Sequence, residues 1–246
     1  MNGKLRRDRI LEIMKKQGYV TVQHLSETLH YSTATINRDL NLLQSQRLIK
    51  RSYGGAELVN TTAIPLMFRL HKAKKEKRKI AAVAASLVCD GDVIFIDGST
   101  TCQYMSQYLT EIKDLTVVTS NMAVAGYLSD YGKKVICLGG TVVEPPYILA
   151  GDDTADMMLR YRVDKAFFST GSVFSDGRVG KGYPSLHRNM ARSAKKTYYL
   201  VDSGKLDKET NRILFTFDDV SAVISDFEFP DETKKQYNKT EYIFVK

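Results

Sequence analysis

Five short polar clusters recur through the second half of this 246-residue chain, each directly behind a run of apolar residues that favours a strand. They are Asp97-Gly98-Ser99-Thr100-Thr101, Thr119-Ser120-Asn121, Gly139-Gly140-Thr141, Ser169-Thr170-Gly171 and Asp202-Ser203-Gly204-Lys205. Glycine lets backbone approach a ligand closely, hydroxyls and free N–H groups at a helix start cradle an anion, and a lysine neutralises it. One such cluster is ordinary strand-to-helix turn chemistry. Five with a lysine among them describe a pocket for a phosphorylated small molecule. Its expected lining is Asp97, Gly98, Ser99, Thr100, Thr101, Ser120, Asn121, Gly139, Gly140, Gly171 and Lys205.

A second chemistry is written into residues 32–56. Ile36, Leu40 and Leu43 recur at steps of four and three and define one side of a helix, with Ser32 as its N-cap. The opposite side then carries Thr33, Thr35, Asn37, Arg38 and Asn41, the small polar and cationic side chains that a recognition helix presents to bases and phosphates in a major groove. Upstream, Thr21 precedes a shorter amphipathic segment (Val22, Leu25, Leu29), and His30-Tyr31 leaves room only for a tight turn. A first helix, Leu5 to Gln17, carries Leu5, Ile10, Ile13 and Met14 on its apolar side and stops at Gly18. Downstream, residues 48–51 and 56–59 are expected to pair as a hairpin, Gly54-Gly55 supplying the positive φ angles of its turn. Lys50, Arg51, Ser52 and Tyr53 join Thr21, Ser32 and the helix residues as the expected DNA contacts. Together these parts make a winged helix-turn-helix.

The elements that must position the anion pocket are the apolar runs themselves: 93–96, 115–119, 135–138, 166–168, 198–201, 222–224 and 242–245. Most are apolar throughout instead of alternating, as strands covered on both faces are. The expected fold is a Rossmann-like, mostly parallel α/β domain behind the winged helix-turn-helix, with ligands beyond the carboxyl ends of the strands. Charge divides at the same place: residues 1–80 hold 17 basic and 6 acidic side chains, net +11, whereas residues 81–246 hold 19 and 22, net −3. Segregated cations are what a phosphate backbone recruits. The densest run, His71 to Lys79, reads equally as a solvated helix face and as a DNA contact. The expected organisation is 1–60 for DNA binding, 61–79 as a basic linker and 80–246 for the effector. Cys89, Cys102 and Cys137 show neither metal-ligand nor disulfide spacing, and no cofactor is implied. With no apolar run of about 18 residues and no signal-peptide segment, a soluble cytoplasmic protein with no membrane partner is expected.

On Ser32, Thr35-Ile36, Arg38-Asp39-Leu40, Gly54-Gly55-Ala56, Glu76-Lys77, Ile80-Ala81, Asp97, Thr100-Thr101, Thr119, Asn121, Gly139-Gly140, Gly151, Asp202-Ser203 and Lys205, the chain resembles the DeoR family of bacterial transcriptional regulators nearly end to end. The resemblance implies a sensor domain related in fold to ribose-5-phosphate isomerase and glucosamine-6-phosphate deaminase. It also implies a repressor, usually of sugar or nucleoside catabolism, released from its operator by a phosphorylated sugar. Three positions depart from the family pattern. Asn37 stands where many members carry a second arginine, Val143 where an arginine often follows Gly-Gly, and Gly180 to Arg188 lacks an acidic pair. One rival reading is a sugar-phosphate isomerase or deaminase fused to a DNA-binding head. It needs well-placed acids, and Asp97, Lys205 and His187 are few for that task. Another is a C-terminal domain that only oligomerises. A homodimer or higher homo-oligomer is expected in any case, because one small head makes too few contacts for a tight site and two address half-sites about 34 Å or a multiple apart.

Overall fold

The computed structural model describes residues 3–17, 19–46, 48–52, 54–58, 69–70, 72–144 and 148–246. The chain divides into two compact units, Met1–Phe68 and Arg69–Lys246.

In the first unit the helices are Gly3–Gln17, Val22–Leu29 and Thr33–Ser45. Ile10, Leu11, Met14, Leu25, Ile36, Leu40 and Leu43 close over one another as its core. Leu5, expected on the apolar side, is 59% exposed. It lies five positions from Ile10 and so points to a different side of a helix with 3.6 residues per turn. Gly18, the expected stop, lies outside the described residues. The turn between the second and third helices is made by His30 in the left-handed region, φ 57°.

The wing is the hairpin Ile49–Ser52 with Gly55–Leu58, Ser52 opposite Gly55. A two-residue strand, Val20–Thr21, adds to its edge opposite Ala56 and Gly55. Of the two glycines only Gly54 takes a positive φ, 77°. Gly55 is needed for space instead, because a Cβ there would come within 2.5 Å of the Tyr19 hydroxyl and the Val20 carbonyl.

The second unit is built on seven parallel strands in the order Glu241–Phe244, Ala222–Ser225, Ala194–Val201, Val163–Phe168, Val93–Ile96, Thr116–Thr119, Lys134–Cys137. Successive residues bury on opposite faces. Ile94, Ile96 and Phe167 pack under the helices Lys74–Ser86 and Met122–Asp130. Phe95, Ala166 and Phe168 pack under Asp152–Met158 and Pro184–Ser193. Coverage on both faces is the reason the runs read as uniformly apolar. Two small antiparallel sheets were not legible: Thr141–Glu144 with Ile148–Ala150, and Ser172–Val173, Arg178–Gly180 and Ile213–Thr216.

Chain order reverses between Val93–Ile96 and Val163–Phe168. The chain winds outward from the first through Lys134–Cys137, then returns to the other side and winds away. This reversal opens a crevice at the carboxyl ends of those two strands, where α/β sheets bind their ligands.

The expected linker does not run to residue 79. Residues 59–68 and 71 lie outside the described residues, and Arg69 onward belongs to the second unit. Lys74–Ser86 is a helix burying Lys77, Ile80, Ala81, Ala84 and Ala85 on one side. Spacings of three and four drive that burial despite the surrounding charges.

Candidate functional site

The recognition helix begins where Ser32 caps it, its hydroxyl accepting the Thr35 N–H at 3.3 Å. Thr33, Arg38 and Asn41 are exposed, and Thr35 and Asn37 are half-buried. Thr21 caps the preceding helix, accepting the His24 N–H at 3.1 Å. Asp39 is buried and holds the recognition helix to the first helix through Arg6 and through Arg7 at 3.3 Å. The Arg6 guanidinium also lies 4.5 Å from the centre of the Tyr31 ring.

Arg51 reaches from the wing to the helix, donating from Nη2 to Asn37 Oδ1 and from Nη1 to Asn41 Oδ1, both at 2.6 Å. Arginine only donates, so both amides must turn their oxygens toward it and their NH2 groups away. Lys50 is exposed beside it. Tyr53 and the Ser52 side chain lie outside the described residues.

In the second unit, Asp97 spans the switch point. Its Oδ1 accepts the Ser99 N–H and its Oδ2 the Ser169 N–H, each at 3.0 Å. Ser99 caps the short helix Thr100–Gln103, accepting the Cys102 N–H at 3.2 Å. Lys205 bridges the same gap from the next strand, donating to Thr101 Oγ1 at 2.9 Å and Ser169 Oγ at 2.6 Å, with Asp202 Oδ2 at 3.5 Å. Gly98 lies against Ile148, where a Cβ would come within 2.7 Å of that side chain. The Ser120 hydroxyl beside it is buried with no hydrogen-bond partner among the described residues.

Other expected residues turn out to be engaged in holding the scaffold. The Asn121 carbonyl oxygen accepts the Ala123 and Val124 N–H groups, and its NH2 donates to Gln103 Oε1 at 3.2 Å. Gly139 accepts the Thr154 hydroxyl at 2.7 Å, and Gly140, φ 130°, leaves no room for a Cβ against Thr154. Gly171 packs on the Lys181 stem and donates to the Lys181 carbonyl at 2.8 Å.

What sequence reasoning missed is the contribution of the segment counted as linker. Lys77, 3% exposed, donates to Thr100 Oγ1 at 3.0 Å and to the Arg69 carbonyl at 2.6 Å. Burial first, then the neighbouring cations Lys205, Arg69 and Lys72, pull its pKa down to about 8, with Asp202 opposing. Arg69 is itself lowered by burial, against the favourable charges of Tyr183 and Asp97. The Tyr104 hydroxyl donates to the Leu70 carbonyl at 2.7 Å and fixes the chain next to Arg69. A usable signal existed: Lys77 shares the helical stripe of Ile80, Ala81 and Ala84. His187 is buried against Phe168, and burial lowers its pKa, so it stands neutral. A separate cavity of about 430 Å³, lined by His187, Arg188, Arg192, Arg212 and Phe215 among others, lies between the Pro184–Ser193 helix and the strand Ile213–Thr216. It is not where Lys205 and the hydroxyls converge.

A winged helix-turn-helix joined to a doubly wound unit with a cationic, hydroxyl-lined crevice at its switch point has the build of a ligand-responsive transcription regulator. Residues 6–62 match the DeoR-like helix-turn-helix domain, and residues 72–227 match the DeoR C terminal sensor domain. The chain belongs to the DeoR family of transcriptional regulators. It is 31% identical to the HTH-type transcriptional repressor GlcR of Bacillus subtilis (strain 168), over 88% of this chain and 86% of that protein. It is 30% identical to the glycerol-3-phosphate regulon repressor of Escherichia coli (strain K12), over 90% of each. The L-fucose operon activator of Haemophilus influenzae is 27% identical over 92% of this chain and 93% of that protein. These relatives are named as regulators, which sets aside the fused isomerase or deaminase. No helix among the described residues is long and apolar enough to cross a membrane.

Proposed function

We propose that the protein is an operator-binding repressor of carbohydrate or nucleoside metabolism genes, and that a phosphorylated sugar in the switch-point crevice controls its grip on DNA. The observation that carries this reading is Lys205, which joins Thr101 on one side of the switch point to Ser169 on the other. A lysine among hydroxyls at a helix start is the chemistry of phosphate binding. Asp97 uses one lone pair of each oxygen on backbone and keeps acceptors for sugar hydroxyls. Ser99 and Asn121 hold the helix starts, Gly98, Gly139, Gly140 and Gly171 give the walls their close approach, and Thr100, Ser120 and Lys205 face the ligand. The name of the glycerol-3-phosphate regulon repressor supports a phosphorylated effector class.

In the head, Arg38, Asn37 and Asn41 read the major groove, while Thr21, Ser32, Thr33, Thr35, Lys50 and Arg51 set its register on phosphates. With Oδ1 of both asparagines held by Arg51, their outward NH2 groups favour base acceptors such as guanine O6 and N7. The protein works in the cytoplasm as a homodimer or higher homo-oligomer, so that two heads address two half-sites.

A thermal-shift screen of pentose, hexose and triose phosphates tests the effector. A ligand that binds only the folded state must raise the melting temperature, and the same compound must then change the affinity for operator duplex in a titration. Sedimentation at micromolar concentration tests the assembly, and a monomer refutes it.

A further inference from the structure

The cavity of about 430 Å³ beside the helix Pro184–Ser193 is separate from the switch-point crevice. Arg192, two residues before the strand Ala194–Val201, and Val220, two before Ala222–Ser225, both line it. It therefore extends toward the amino ends of the parallel strands, and none of Asp97, Thr101, Ser169 and Lys205 borders it. Its size is that of an ordinary small-molecule pocket.

Two chemistries meet in it. Phe168, His187 and Phe215 make a wall of rings: the Phe168 and His187 centroids lie 5.4 Å apart, and Phe215 makes edge contacts with both, at 5.4 and 6.2 Å. Met190 and Leu214 extend the apolar surface. Three exposed arginines, Arg188, Arg192 and Arg212, stand around it against a single carboxylate, Asp219, which accepts the Thr216 N–H at 2.9 Å. None of the three guanidinium groups has a hydrogen bond or ion pair among the described residues. Arg188 and Arg192 are four positions apart on one helix face, where like charges repel. The helix dipole accounts for a cation in the last turn, but not for a second beside it or a third brought in by Arg212. His187 is 6% exposed, and its Nδ1 is buried with no hydrogen-bond partner among the described residues. A buried polar atom left so is costly unless another molecule meets it. A sugar phosphate does not suit this lining, because its hydroxyls need neutral donors and acceptors where the walls offer rings and aliphatic chains. A flat apolar body ending in a carboxylate does, since guanidinium groups take a carboxylate through paired hydrogen bonds and rings pack edge to face.

We infer that this cavity is a second ligand site, for an aromatic carboxylate whose ring packs against Phe168 and Phe215 and whose carboxylate is held by Arg188, Arg192 and Arg212. The inference does not depend on the effector of the crevice.

The test uses the full chain with 1-naphthoate in calorimetry and 1-naphthamide as its uncharged counterpart. Wild type binds the carboxylate about tenfold or more tightly than the amide, the worth of one charge-assisted contact. Arg188→Met, Arg192→Met and Arg212→Met, all at exposed positions, each weaken naphthoate binding by about threefold to tenfold without moving the unliganded melting temperature, which a merely structural role would move. Lys205→Ala leaves naphthoate affinity unchanged. Equal affinity for naphthoate and naphthamide, or wild-type naphthoate affinity in all three arginine variants, overturns the inference. A loss in Lys205→Ala with none in the arginine variants places the acid in the crevice and overturns it as well. So does a wild type that binds no naphthoate at millimolar concentration, and a lower sedimentation coefficient of Arg212→Met would then assign this face to contact between copies of the chain.

Discussion

Replacing Lys77 by methionine should reverse the sign of its effect on stability as pH rises. In the folded chain Lys77 titrates at about 8, against an ordinary 10.5. Between those values the unfolded chain binds more protons than the folded one, so the lysine's contribution to stability rises with pH. At pH 7 its charge costs about 3 kcal/mol, and raising the pH to about 9.5 recovers roughly 2 kcal/mol of that. Methionine removes the charge and also the two hydrogen bonds to Thr100 and the Arg69 carbonyl, at about 1 kcal/mol each. The variant should therefore be about 1 kcal/mol more stable than wild type at pH 7 and slightly less stable near pH 9.5. Urea unfolding followed by circular dichroism in phosphate-free buffer at several pH values reads this directly. Lys205, Asp202, Arg69 and Lys72 face the ammonium and remain in both proteins. The difference between the two curves thus isolates Lys77, and it also cancels the buried Tyr198 and the half-buried Tyr104 and Tyr183. Burial raises the pKa of those tyrosines, and their slope is opposite at higher pH. A difference that stays flat across the window means that Lys77 is not desolvated, and the argument for its charge then fails.

Arg38→Ala should cost about 1–3 kcal/mol of operator affinity and relax specificity at the base it reads, while sugar-phosphate stabilisation stays intact; Lys205→Ala should do the reverse. Loss of both activities in both variants breaks the division of labour between the units. Arg51→Ala should broaden the sequences recovered by in vitro selection of bound duplexes, because Asn37 and Asn41 become free to rotate; an unchanged selection shows that the clip does not set specificity. Asp97→Ala should destabilise the sensor unit by about 3 kcal/mol, since it leaves two backbone N–H groups at the switch point without their charged acceptor. Denaturant unfolding measures this, and a change under about 1 kcal/mol would mean that water replaces the carboxylate.

Features set by neighbours in sequence were legible, and those set by neighbours in space were not. Ser32 read correctly as a helix start because a cap is a contact three residues long. The parallel sheet read correctly because burial on both faces makes its strands uniformly apolar. Val163–Phe168 and Ala194–Val201 nonetheless began earlier than expected, since Asp164, Lys165 and Lys195 occupy their first turns of pleat and pair across strand ends. Asp97 could be placed behind its strand, but not its bond to Ser169 N–H, 72 residues away.

Charge was the most misleading quantity, because a count by region treats cations as equivalent. Of the 17 basic residues before position 81, Arg6 and Arg7 serve Asp39, Arg51 turns two asparagines, and Lys77 is buried against Thr100 and the Arg69 carbonyl. Each is withdrawn, wholly or in part, from the field that recruits DNA, and each fixes something a free surface cation does not: a helix crossing, an amide orientation, a bridge from Thr100 to the Arg69 carbonyl. The basic run from His71 to Lys79 is the sharpest case. Six of its nine side chains are cations, yet the one on the apolar stripe of its helix is the one that reaches Thr100 and Arg69. Helical periodicity, applied to a charged residue as strictly as to an apolar one, separates the buried lysine from the lysines that face solvent.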